Sequence, residues 1–265
     1  MAQIKQVKNS KLRSPLRGWL GGKYQLASRI IERIPEHRCY VEPFAGAAWV
    51  LFKKEKSKAE VLNDINYDVV NLYRCVQHHL DALIDCIEPT LVSRQEFQRL
   101  MRTPADTLTD IQRAARFLYI HRNSFGGKVV DNHFGTSTTR HSKYDVQTIE
   151  TELLLARKRL SRCTIENLGY AEVISRYDRE HTFFYIDPPY YDCENVYGKG
   201  IFSKADFEQL AKQLANIKGK FLLSLNDRPE VREIFKAFNI EDEQVRYSVS
   251  LGKGEMFGEV LISNY

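Results

Sequence analysis

Short apolar, β-rich runs alternate with helix-spaced apolar positions in the first quarter of the chain and again after about residue 163, the pattern of an α/β sheet. Cys39–Glu42 and Ala59–Asn63 read as strands joined through a helix over roughly 47–54. Further strands are expected at Cys163–Glu166, Thr182–Ile186 and 221–224, and the segments 244–250 and 259–264 read as a closing hairpin. Phe207, Leu210, Ala211 and Leu214 fall at i, i+3, i+4 and i+7, one face of an amphipathic helix, and Ser203 stands where its N-cap belongs. From about residue 68 to 162 the β pattern gives way to polar, helix-spaced sequence broken by a glycine-containing stretch at 124–135. That middle reads as an inserted, mostly helical domain with one β-hairpin, so the expected division is 1–67 with 163–265 for the sheet domain and 68–162 for the insert. No internal repeat is visible.

At 265 residues the chain can bury a sizeable core. Its five cysteines are odd in number, widely spaced and without a C-x-x-C pair, which suggests neither a disulfide framework nor a zinc or other metal site, and points to a reducing cytoplasm. No apolar run approaches the roughly 20 residues that span a bilayer, so no membrane association is expected. The net charge of +5 is modest, but its distribution is uneven. Lys5, Lys8, Lys11, Arg13 and Arg17 open the chain with no acidic residue among them, and 113–143 carries Arg116, Arg122, Lys128, Arg140 and Lys143 against Asp131 alone. Such runs fit a solvated face and a loose terminus as well as a surface for polyanions.

Two motifs carry chemistry. Val41-Glu42-Pro43-Phe44-Ala45-Gly46-Ala47-Ala48 runs from a strand through a small-residue turn into a helix, the place where open α/β sheets take ligands. It is neither G-x-G-x-x-G nor a P-loop, and an acidic residue before Pro-Phe suits a ligand bearing an ammonium or hydroxyls better than a pyrophosphate. Asp64, closing the second strand about 20 residues on, lies at the offset of a ribose-binding carboxylate, and on its own fits a helix N-cap equally well. The second motif is Asp187-Pro188-Pro189-Tyr190, directly after an apolar strand. Two prolines stiffen this loop and remove two N–H donors, leaving acceptors for a ligand that donates hydrogen bonds. An aromatic amine such as adenine N6 is a poor nucleophile because its lone pair is delocalised into the ring. The Asp187 carboxylate and the Pro188 carbonyl are expected to accept its two N–H bonds, while Tyr190 stacks on the base.

Together with Gly18-Trp19-Leu20-Gly21-Gly22-Lys23-Tyr24 and Phe117-Leu118-Tyr119-Ile120-His121-Arg122-Asn123-Ser124-Phe125-Gly126-Gly127, these motifs resemble the Dam-type DNA adenine-N6 methyltransferases over nearly the whole chain. The resemblance implies a Rossmann-like methyltransferase with a mostly parallel seven-stranded sheet and an inserted helical DNA-recognition domain. It implies S-adenosylmethionine as cofactor, contacted by Trp19, Lys23, Asp64 and Asp187, in a pocket shaped by Glu42, Phe44, Gly46 and Tyr170. It implies double-stranded DNA as partner, with the target base flipped out of the stack. Phe125, expected at the hairpin tip, would fill the resulting gap, and Arg122, Asn123, Lys128, Arg140 and Lys143 would contact the duplex. The resemblance implies a bacterial or phage-encoded protein of the restriction-modification kind, cytoplasmic and nucleoid-associated; a monomer or weak dimer is expected.

The chain departs from the family pattern at Gly126, where the Dam type carries an Asn that reaches the orphan base, and at Val130, near the place of a guanine-reading Arg. Fewer base-edge donors imply a recognition sequence other than GATC, or a relaxed one. Ala48 stands where a Gly or Ser is more common in the cofactor turn. Two other readings use the same residues: transfer to cytosine N4, whose enzymes more often carry Ser at the position of Asp187, and a non-catalytic DNA-binding protein that keeps the fold.

Overall fold

A computed structural model describes residues 11–125, 132–139, 142, 144–194, 198, 200–246 and 256–265. Seven strands form one sheet in the order β3-β2-β1-β4-β5-β7-β6. They are β1 Cys39–Glu42, β2 Ala59–Asn63, β3 Cys163–Glu166, β4 Thr182–Ile186, β5 Lys220–Asn226, β6 Asn239–Arg246 and β7 Met256–Ser263. β1 pairs in parallel with both β2 and β4, β4 pairs in parallel with β5, and β7 runs antiparallel between β5 and β6. This is the mostly parallel α/β sheet expected of a Rossmann-like methyltransferase. β4 is buried at every position, as an inner parallel strand covered on both faces must be.

The chain divides into two compact units. A sheet-bearing unit takes in Lys23–Ala45, Lys54–Ile65 and Glu166–Tyr265; a helical unit takes in Met1–Gly22, Gly46–Lys53 and Asn66–Ile165. In the sheet-bearing unit, α1 (Ala27–Glu32) precedes β1, and α8 (Tyr170–Tyr177), α9 (Lys204–Leu214) and α10 (Pro229–Ile234) follow β3, β4 and β5. Val41, Val61, Phe184, Ile186, Phe221 and Leu223 of the strands share a core with Val173 and Ile174 of α8 and Phe207, Leu210 and Leu214 of α9. Asp206 Oδ2 accepts from the backbone N–H and the hydroxyl of Ser203, which makes Ser203 the N-cap of α9.

In the helical unit, α2 (Trp49–Lys53) is followed by α3 (Tyr67–His78), α4 (Leu80–Ile87), α5 (Arg94–Arg102), α6 (Asp110–Asn123) and α7 (Val146–Leu160). Asn66, Ser93, Thr109 and Asp145 cap α3, α5, α6 and α7 through their side-chain oxygens, which satisfies N–H groups the helices leave open. Val69, Leu72, Val76, Leu83, Leu118, Ile149 and Leu153 are fully buried among these helices. The expected hairpin begins where the Phe125 N–H donates to His133 O at 2.8 Å and the Gly135 N–H to Asn123 O at 2.7 Å. Ser124 and Phe134 form an antiparallel bridge, which sets Phe125 beside His133, and 126–131 lie outside the described residues.

Three strands differ from their expected bounds, and the first is β7, which runs Met256–Ser263 where 259–264 was expected. β5 extends to Lys220 and Asn226, whose polar side chains hide the signal while their backbones pair with Phe183 of β4 and Glu259 of β7. β6 begins at Asn239 rather than 244, and 247–250 lie outside the described residues. The sequence Asn239-Ile240-Glu241-Asp242-Glu243 shows little strand propensity, but at a sheet edge its acidic side chains are matched by arginines. Arg33 reaches Glu241 and Glu243 at 2.8 Å each, and Arg29 reaches Glu243 at 2.7 Å.

Candidate active site

The sheet order reverses at β1: β2 and β3 lie to one side of it, β4 and β5 to the other. Ligands of open α/β sheets bind outside the carboxyl ends of the strands at such a switch point. Glu42 closes β1 in register with Leu62, Asp64 follows the last residue of β2, and Asp187 follows the last residue of β4, whose Phe184 pairs with Val41. Parallel pairing therefore brings three carboxylates from distant parts of the chain to one edge. Glu42 is buried and accepts the Tyr40 hydroxyl at 2.6 Å. Asp64 is half-buried, and capping of α3 is done by Asn66 instead.

The loops at this edge are tied by a buried amide, Asn63. Its Nδ2 donates to Pro43 O at 2.9 Å and Leu168 O at 3.0 Å, and its Oδ1 accepts from the Leu168 N–H at 2.8 Å. One side chain thus sets the loop after β1 against the loop after β3. Asn167 adds a bond from its Nδ2 to Asp64 O at 2.7 Å. Asn63→Ala would strand one donor and two acceptors, so a loss of about 3 kcal/mol in urea unfolding is expected; a loss below about 1 kcal/mol would show the loops to be held by other means.

The Asp187 carboxylate lies in a charged cluster. Lys23, which precedes α1, places Nζ 2.5 Å from Asp187 Oδ1 and 3.4 Å from Glu259 Oε1 of β7. The same ammonium lies 4.7 Å from the centroid of the Tyr190 ring, whose hydroxyl donates to Glu259 Oε1. Ser224 Oγ donates to Asp187 Oδ1 at 3.2 Å and shares a 2.9 Å hydrogen bond with the Tyr185 hydroxyl. Among the described residues, both side-chain donors to Asp187 therefore fall on Oδ1. Lys23 and Glu259 are 4% and 1% exposed, so the cluster sits largely out of water.

Burial works against the Lys23 ammonium, but Asp187, Tyr190 and Glu259 more than offset it and hold the lysine cationic, well above its ordinary range. Burial also pushes the Asp187 carboxyl up, against the pull of Lys23, and Glu259 adds to the rise. Among the described residues, two carboxylates thus form ion pairs with this one ammonium. Such an acceptor-rich edge suits a ligand that brings positive charge or N–H donors.

The Asp-Pro-Pro-Tyr loop is held by a second amide. Asn226, at the end of β5, accepts the Tyr191 N–H at 2.9 Å and donates to Tyr191 O at 3.0 Å. Beside the loop, Phe44 stacks on Tyr170 with ring centroids 5.3 Å apart, and Phe202 meets both rings. In the helical unit, Trp19 is buried against Phe117 and His121 of α6. Gly46, at φ +45°, comes so close to Trp19 that a Cβ would stand 3.0 Å from the indole nitrogen, so the position admits little but glycine. Ala48 adopts φ +49°, a left-handed conformation that costs a non-glycine residue about 1 kcal/mol or more.

Two residues expected on the DNA surface are turned inward. Arg122 is buried and donates through Nη2 to Pro15 O and Glu152 Oε2, each at 2.8 Å. Asn123 is buried and donates to Tyr119 O at 3.0 Å. Both lie in the last turn of α6 on its packed side, which a run of basic residues cannot reveal. Phe125 is exposed. Lys128, Arg140 and Lys143, like Gly126 and Val130, lie outside the described residues.

Four contributors escaped sequence reasoning: Glu259, Ser224, Asn226 and Asn63. Asn63 and Asn226 close β2 and β5, whereas Ser224 and Glu259 lie within β5 and β7. The one available signal was an acidic residue at the mouth of the apolar run Val260-Leu261-Ile262, where a strand bound for the sheet interior has no ordinary use for a carboxylate.

Residues 19–249 match the family model of the D12 class N6 adenine-specific DNA methyltransferases. The chain is 28% identical over 270 residues to the DNA N-6-adenine-methyltransferase of Escherichia phage P1, an alignment that takes in 91% of this chain and 33% of that longer protein. It is 27% identical to the DNA adenine methylase of Salmonella typhi, across 89% of both chains. It is 26% identical to the Type II methyltransferase M.MjaIII of Methanocaldococcus jannaschii, across 95% of this chain and 99% of that one.

Proposed function

The chain belongs to the D12 class N6 adenine-specific DNA methyltransferases, and on that premise we propose that it transfers a methyl group from S-adenosylmethionine to N6 of an adenine flipped out of double-stranded DNA. The observation that carries this reading is the cluster at the carboxyl edge of the sheet, where Asp187 is held on Oδ1 by Lys23 and Ser224. Its other oxygen is then the acceptor for one N–H of the amine, and the Pro188 carbonyl accepts the second. Hydrogen bonds to both draw the nitrogen toward tetrahedral geometry and stabilise the positive charge that develops on it. Tyr190 has its hydroxyl committed to Glu259, which fixes its ring as the face on which the base stacks.

S-adenosylmethionine, when bound, supplies an electrophilic methyl on a sulfonium. It also carries an ammonium and ribose hydroxyls, and the carboxylates at this edge fit such a ligand. Lys23, Glu42, Asp64 and Asp187 are the side chains assigned to hold it, with Phe44 and Tyr170 as an aromatic wall. Residues 68–162 are assigned to target recognition, and Phe125 to the gap left by the flipped base.

Labelled methyl transfer to duplex DNA followed by nucleoside analysis tests the reading, with N6-methyladenine as the expected product. N4-methylcytosine as the sole product, or binding of DNA without transfer, would overturn it. Mapping the modified adenines on a plasmid of mixed sequence is expected to place them outside GATC as well as, or instead of, within it; confinement to GATC refutes that part.

A further inference from the structure

Glu152 of α7 is a single carboxylate that serves three arginines. Its Oε2 accepts from Arg122 at 2.8 Å, and its Oε1 lies 3.1 Å from Arg17 and 3.9 Å from Arg13. Among the described residues, every ion pair of these three arginines is made with Glu152, so the cluster carries two uncompensated positive charges. Arg122 shows the shortfall directly: its Nε and Nη1 are buried with no hydrogen-bond partner. A guanidinium placed only to brace the fold would have its fork filled, since each stranded buried donor is destabilising. Burial, together with like charge from Arg17 and Arg13, pulls Arg122 down to about 10 despite Glu152.

The basic run that supplies Arg13 and Arg17 is anchored. Ser14 and Leu16 are fully buried, Pro15 O takes a hydrogen bond from Arg122, and the Arg17 carbonyl lies 3.2 Å from His121 Nε2. This holds two side chains in place at the surface, Arg13 47% exposed and Arg17 27% exposed, above a buried third charge. Arg122 also lies in the last turn of α6, next to Asn123, whose carbonyl accepts the Gly135 N–H at 2.7 Å.

We infer that Arg13, Arg17 and Arg122, gathered around Glu152, form a docking site for one backbone phosphate of the nucleic-acid duplex. The inference rests on the reading of duplex DNA as substrate. The phosphodiester supplies the second anion that the cluster lacks, accepting from the exposed guanidinium groups of Arg13 and Arg17 while Arg122 adds its charge from beneath. A contact of this kind positions the duplex without reading its sequence.

The test is the salt dependence of binding to a labelled duplex by fluorescence anisotropy, comparing the wild-type protein with an Arg13→Gln/Arg17→Gln double variant over about 50 to 200 mM KCl. The slope of log K against log salt is expected to become shallower by about 0.9, the value of one neutralised phosphate. Affinity should fall equally on unrelated sequences, with S-adenosylmethionine binding unchanged, and an Arg13→Lys/Arg17→Lys variant should keep most of the slope. An unchanged slope accompanied by a lower urea midpoint would assign the cluster to folding alone and overturn the inference. Methyl transfer to the same duplex by the wild-type preparation separates the two levels: if the wild type neither binds nor methylates it, the parent reading falls together with this one.

Discussion

Asp187→Asn is expected to lower the single-turnover rate of methyl transfer about 10²- to 10³-fold, roughly 3 to 4 kcal/mol of transition-state stabilisation, while the protein stays folded. The substitution keeps the shape of the side chain but puts an amide where a charged acceptor stood. With the amide oxygen kept on Lys23 and Ser224, an NH2 donor replaces the second carboxylate oxygen, so a charged acceptor is lost just where positive charge develops on the substrate nitrogen, and the loss falls on the chemical step more than on binding. The fold should tolerate it, because the Lys23 ammonium keeps Glu259 3.4 Å away and the aromatic face of Tyr190 at 4.7 Å. Single-turnover kinetics with labelled cofactor, paired with urea unfolding, checks both halves. A rate within about threefold of wild type would reduce Asp187 to an ion-pair partner of Lys23 and remove the mechanism proposed for it.

Lys23→Met is expected to have the largest effect on stability, about 3 to 5 kcal/mol near neutral pH, because it leaves two buried carboxylates facing each other without a cation. The pH dependence identifies the cause. Asp187 is already pushed up by burial and Glu259, and Lys23 is what pulls it down, so removing the lysine raises the folded-state value further above the unfolded one. A carboxyl group raised in this way binds its proton more tightly when folded. The penalty is therefore complete above the folded-state value and disappears below the unfolded one, so the deficit of the variant should shrink as the pH is lowered from about 7.5 toward 4. Adding Glu259→Gln to Lys23→Met should recover part of the lost stability by removing one of the two negative charges. A deficit that stays constant over that pH range, or a double variant less stable than the sum of the singles, would mean that Lys23 acts through packing and not through charge.

Both effects trace to contacts that no local pattern announces. Lys23 and Asp187 are 164 residues apart, and Lys23 is further still from Glu259. Parallel pairing of β1 with β4 and antiparallel pairing of β5 with β7 bring them to one edge: Asn226 stands opposite Glu259, and Ser224 follows Leu223, the partner of Ile186. The resemblance of the Trp-x-Gly-Gly-Lys and Asp-Pro-Pro-Tyr segments named Lys23 and Asp187 as functional, but could not show that they neutralise each other. Asn63 and Asn226 were invisible for the same reason, since an asparagine at a strand end looks like any turn former until its amide is seen spanning two loops.

The basic residues show the opposite failure. A charge run identifies composition and not direction, so it puts Arg122 on the surface in direct contact with DNA, although the last turn of α6 aims it at Glu152 and Pro15, beneath Arg13 and Arg17. In the same way the run that holds Arg13 and Arg17 fits a loose terminus as well as a surface for polyanions, whereas in the structure Ser14 and Leu16 are buried.

What the sequence determined by itself was everything that depends on near neighbours: the central strands, whose apolar runs have no other way to be buried, the capped helix α9, and the loops that carry Asp64 and Asp187. Tertiary structure alone decided the edge strand β6, the inward turn of Arg122 and Asn123, and the partnership of Lys23 with Asp187 and Glu259. The physical reason is that local preference is a property of consecutive residues, while the sign and surroundings of a buried charge are set by whichever strand the sheet order lays beside it.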